Sequence, residues 1–101
     1  MPGIEVSNGN GETGMAAHVA AELAGAGLPV RRLTNRKPYT HRVSRIVYRA
    51  GWRAAALRLR AALPGDVLVE PAHAPLRRDI DLRLLLGRDM LPAPEVSRPP
   101  A

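Results

Sequence analysis

The hydrophobic period of this chain changes twice in the same way, and each change falls at glycine. Ile4-Glu5-Val6-Ser7 alternates apolar and polar residues with period two, as a half-buried strand does, and Asn8-Gly9-Asn10-Gly11 ends it in a turn. From Gly14 onward Met15, Val19 and Leu23 recur every four residues beside Ala16, Ala20 and Ala24, which gives a helix one apolar stripe. The second change follows the strand-like run Arg42 to Arg49: Gly51 interrupts it, and Trp52, Ala56, Leu59 and Leu63 form another helical stripe. A helix with one apolar stripe must bury it, and a chain that makes strand, turn and helix twice buries both stripes on a sheet.

The remaining signals complete an α/β pattern. Asn10 or Thr13 can cap the first helix, Glu12 suits its positive end, and Gly25 or Gly27 can stop it in the left-handed conformation. Pro29 to Leu33 reads as a second strand, joined to the third through the polar loop Thr34 to Thr40. Pro64-Gly65 stops the second helix, Val67 to Val69 is a short strand, and after a loop over residues 71–79 Ile80 to Leu86 is the most hydrophobic strand. The expected fold is a two-layer α/β sandwich: a βαββαβ core plus a C-terminal strand, in a mixed sheet with two helices on one face. Two helices leave the other face open to water. Side-chain alternation puts Ile4, Val6, Ile46, Tyr48, Ile80, Leu82, Leu84 and Leu86 toward the helices. Glu5, Ser7, Arg45, Arg49, Asp81 and Arg83 then fall on the open face. Residues 1–90 make one domain, and the Pro-rich segment 91–101 is expected to be disordered or extended.

Composition narrows the chemistry. A length of 101 residues supports one core, and with no Phe, two Tyr and one Trp that core is aliphatic and modest. No run approaches the roughly 18–20 apolar residues of a bilayer span, and the N-terminus lacks a signal-peptide pattern, so an export signal is expected on a longer parent chain. Zero Cys removes disulfides, Cys-ligated zinc and thiol catalysis together. The net charge of +6 suits an anionic partner, but Lys37 is the lone lysine and the arginines are spread rather than massed, as in a domain whose charge keeps it soluble. Two tyrosines are too few for a stacking platform, which disfavours nucleic acid.

Gly9-x-Gly11-x-x-Gly14 matches the dinucleotide fingerprint in form, after a strand and at a helix start. The acid expected about 20 residues later is missing, and Arg31, Arg32, Arg36 and Lys37 stand in that region. The glycines therefore read first as a structural turn of Asn8, Gly9, Gly11 and Gly14, with nucleotide or phosphate binding as an alternative. His18, His41 and His73 have no metal-ligand spacing, Ser7, Ser44 and Ser97 have no nucleophile context, and Asp79, Asp81 and Asp89 each have arginine neighbours. No catalytic residue, metal site or cofactor is indicated. Arg45, Arg49 and Arg83 are the candidate ligand-binding set, because guanidinium forks on an open face recognise carboxylates or phosphates and pack against sugar rings.

Ile4-x-Val6-x-Asn8-Gly9-x-Gly11-x-x-Gly14-x-Ala16, with Leu23, Gly27 and Val30, resembles the opening of the LytR C-terminal domain family. Asn35, Ile46-x-Tyr48, Leu59, Leu63 and the closing Leu84-x-Leu86-Gly87-x-Asp89 are similar to later parts of the family pattern, so the resemblance runs from Ile4 to Asp89. It implies a non-enzymatic accessory domain of a bacterial envelope protein, outside the cytoplasm in the periplasm or cell envelope. Its implied partner is peptidoglycan, another cell-wall glycan or an envelope protein. Thr34 to Tyr39 resembles the proteobacterial type found behind tetratricopeptide repeats, which makes a repeat domain of the parent chain a further partner. The tail to Ala101 reads as a chain end and Met1 as a start placed on an excised domain. Self-association or docking within the parent chain is the structural alternative.

Overall fold

Both period changes fold into a strand followed by a helix. The computed structural model describes residues 2–90, so the Pro-rich tail 91–101 lies outside the described residues. Its elements are β1 (Ile4–Asn8), α1 (Met15–Gly25), β2 (Arg32–Asn35), β3 (Arg45–Tyr48), α2 (Arg53–Ala61), β4 (Leu68–Pro71), β5 (Leu82–Leu86) and a 3-10 turn, η1 (Arg88–Met90). The five strands form one sheet in the order β2-β1-β5-β3-β4. β1 with β2 and β3 with β4 are parallel pairs, each joined through its helix, and they flank β5, which runs parallel to β1 and antiparallel to β3.

Alternation assigns the faces as expected. Ile4, Val6, Ile46, Leu82, Leu84 and Leu86 are fully buried, and they share one cluster with Val19 and Leu23 of α1 and Ala56 and Leu59 of α2. One cluster containing both helices puts both on the same face, in a mixed two-layer sandwich. Tyr48 packs at its margin, while Ile80 is buried in the turn before β5. The core is aliphatic, as a chain without Phe requires. Among the described residues no helix is long and apolar enough to cross a membrane.

Element ends depart from the sequence reading for local reasons. Neither Asn10 nor Thr13 caps α1; Gly14 holds the N-cap position at φ 76° with no side-chain cap, because the Asn10 side chain is engaged elsewhere. The helix closes near Gly27, where Leu28 N–H donates to the Leu23 carbonyl. The second strand covers Arg32–Asn35 rather than Pro29–Leu33, since Glu5 to Asn8 of β1 pair with these later residues and Pro29 has no N–H to give. The third is shorter than expected at its start, because Val43 and Ser44 pack against Gly87 and Asp89 instead of continuing the ladder. β4 begins one residue late and extends to Pro71, and β5 begins at Leu82.

Candidate binding site on the open sheet face

The face away from the helices has a buried acid at its centre. Glu5, in β1, lies opposite Arg83 of β5 and Arg32 of β2. Its Oε1 accepts from Arg83 Nε at 2.9 Å, its Oε2 accepts from the Thr34 hydroxyl at 2.8 Å, and Arg32 Nε approaches at 3.7 Å. Glu5 is only 4% exposed, so these partners replace the water its carboxylate has lost. Sequence parity placed Glu5 on this face but gave no sign that it would be buried there.

The three candidate arginines share the face and divide between two tasks. Arg45 and Arg83 line one hollow of about 310 Å³. Arg45 Nη1 donates to Glu70 Oε1 at 3.1 Å, while its Nε is buried without a hydrogen-bond partner among the described residues. Arg49 lies outside the hollow. Its Nη2 donates to the carbonyls of Arg77 and Ile80 at 2.6 and 2.7 Å, and its Nε lies 3.3 Å from Asp81 Oδ1, so this guanidinium ties the loop before β5 to the end of β3. The site set named from sequence is thus two lining residues and one loop clamp.

Arg36 and His41 complete the rim, and both come from the β2–β3 connection. That segment crosses the ends of the central strands: Arg36 N–H donates to the Asn8 carbonyl, His41 N–H to the Gly9 carbonyl, and Arg88 N–H to the His41 carbonyl. Val47 and Leu85 supply apolar wall between the charges. Sequence analysis left Arg36 in a loop and His41 as an isolated histidine. Their meeting with β3 and β5 depends on strand order, which hydrophobic periodicity does not encode.

The glycine turn serves this arrangement. A side chain at Gly9 would stand 2.8 Å from the His41 ring and 2.9 Å from the Leu86 carbonyl oxygen, so glycine lets the β2–β3 connection close over the strand ends. Asn8 Oδ1 accepts from Asn10 N–H, Asn10 Oδ1 accepts from Glu12 N–H, Gly9 N–H donates to Leu86, and Met15 N–H donates to Glu12. Four amides of the region that could cradle a phosphate are therefore engaged within the protein. Asn10 Nδ2 donates to the Gly87 carbonyl at 2.9 Å, which joins the turn to the end of β5. There, Gly87 N–H donates to Ser44 Oγ, and the Asp89 carboxylate accepts from the Ser44 N–H and hydroxyl. A Cβ on Gly87 would fall 2.6 Å from the Val43 carbonyl carbon. The two glycine motifs, 77 residues apart in sequence by the spacing of Asn10 and Gly87, are one latch in space. Among the described residues no group of His, Asp and Glu side chains could hold a metal ion.

Comparison with known proteins bears on the fold and the family. No curated protein matches the chain. A solved structure titled "Solution Structure of the C-terminal domain of RV0431" is similar in fold, with a TM-score of 0.57 and 23% identity over 86% of this chain and 72% of that one. The family model LytR_C, described as LytR cell envelope-related transcriptional attenuator, matches residues 3–89, which contain the glycine turn, the open-face cluster and the closing latch. The chain belongs to the LytR_C family.

Proposed function

We propose that this domain is a non-enzymatic binding module of a bacterial envelope protein, acting outside the cytoplasm and holding cell-wall glycan through its open sheet face. The observation that carries the reading is the hollow in which Arg36, Arg45, Arg83 and His41 converge beside Val47 and Leu85, on the face no helix covers. Guanidiniums bind acidic groups through paired N–H donors, and the apolar wall offers a surface to the C–H face of a sugar ring. The membership in an envelope-related family supports the choice of a wall polymer over other anions. A tetratricopeptide-repeat parent is the setting we assign to the domain on the residues Thr34 to Tyr39.

Capture by purified wall sacculi tests the reading. Arg36→Ala/Arg45→Ala is the informative variant, since Arg83 holds the buried Glu5 and Arg49 clamps a loop, so changing either disturbs the fold as well. With thermal melting unchanged, the double variant is expected to lose at least roughly tenfold in capture. Undiminished capture would overturn the proposal.

Self-association is a second reading, favoured by Leu33 and Leu68, each about half exposed on the edge strands β2 and β4. Both edges are four residues long and β4 ends in Pro71, features that blunt strand pairing between molecules. Wall binding remains the reading we adopt.

A further inference from the structure

The charges around the open-face hollow specify more than an anion. Its lining holds three guanidiniums, those of Arg36, Arg45 and Arg83, and one carboxylate, that of Glu70. Arg45 faces Glu70 at 3.1 Å, and Arg83 faces Glu5 at 2.9 Å in the sheet beneath. Among the described residues Arg36 has no carboxylate partner, and Arg32 reaches Glu5 from β2 without joining the lining. Arg36 is therefore the lining guanidinium left free for a ligand, while Glu5 is shared between Arg83 and Arg32.

From this arrangement we infer that the hollow is a site for a carboxylate carried on a sugar-sized body. A carboxylate matches the guanidinium fork in plane and spacing. Arg45, tied by one donor to a half-exposed Glu70 while its Nε lacks a partner, gains an acceptor by turning toward such a group. Val47 and Leu85 take the ring that carries it, and about 310 Å³ is at the small end of the range for ligand sites. The inference deepens the wall-binding reading and rests on it only for the source of the carboxylate.

The test is an NMR titration of the domain with galacturonic acid, galactose and inorganic phosphate as separate probes. Galacturonic acid is expected to shift the amides of Val47 and Leu85 and the side-chain Nε–H of Arg45, while galactose leaves them unmoved. Arg36→Ala should weaken galacturonate binding roughly tenfold. Glu70→Gln removes the opposing charge and should tighten it by about fivefold, a gain that no loss of folding can imitate. Equal responses to the two sugars, tighter binding of phosphate than of galacturonate by the unaltered domain, or weaker galacturonate binding by Glu70→Gln would each overturn the inference. Sacculus capture is scored separately, so the two readings fail separately. Galacturonate binding without capture leaves the hollow standing and removes the wall, whereas capture without a galacturonate response removes the hollow.

Discussion

Ser44 has no exposed surface, and every polar atom it carries along that side is used. Its hydroxyl donates to Asp89 and accepts from Gly87 N–H, and its amide donates to the same carboxylate. Ser44→Ala leaves the buried Gly87 N–H without an acceptor, which costs about 1–3 kcal/mol. Urea denaturation of the variant is expected to show a lower midpoint with an unchanged slope. The residue also marks a limit of sequence reading. Ser44 could be dismissed as a nucleophile from its context, but its structural work is done with Gly87 and Asp89, more than forty residues away. Gly87 and Asp89 were visible as a family pattern, and Asn8, Gly9, Gly11 and Gly14 as a turn, whereas the hydrogen bond from Asn10 that unites them is a tertiary fact.

At the scale of elements, periodicity carried most of the information. Both helices were legible because an apolar stripe four residues apart has to face a sheet, and α2 places Ala56 and Leu59 in the core from that stripe. Leu59→Ala should cost about 2–5 kcal/mol, since its side chain is fully buried in a core with few large groups to relax into the space. Arg58→Ala, on the solvent side of the same helix, should change stability by no more than about 0.5 kcal/mol, and thermal melts of the pair measure the contrast. The helix start was read correctly and its cap was not, because the Asn10 oxygen that could cap α1 accepts from Glu12 N–H before the helix begins. The second strand was misplaced because its bounds follow from pairing with β1, and pairing is invisible in a local window. The β2–β3 connection, polar and without periodic pattern, is where Arg36 and His41 of the hollow's rim were hidden.

The whole molecule is a sheet whose two βαβ units share a strand belonging to neither. β5 contacts β1 on one side and β3 on the other, so neither unit is joined to the rest of the sheet except through it. Hydrogen exchange is expected to report this architecture: amides of β1, β5 and β3 should be protected to the global unfolding limit, and those of β2 and β4 should exchange earlier through edge opening. Equal protection across all five strands would contradict it. The internal resemblance of the two halves was legible from the order of strand, turn and helix, but the insertion of the last strand between them was not. Local signals describe what each segment becomes, and strand order is set by pairings between segments far apart in sequence.

That central strand is also the last of the five along the chain, which has a bearing on biosynthesis. When Pro71 has emerged from the ribosome, both helices and four strands are present, yet they are two parallel pairs with nothing between them. The sheet becomes continuous only once Leu86 is free, and both halves of the hollow then meet across β5, with Arg83 and Leu85 delivered by the same strand. Folding of this domain thus closes in a single step that completes the core and builds the binding face together, so a chain stalled before β5 has neither.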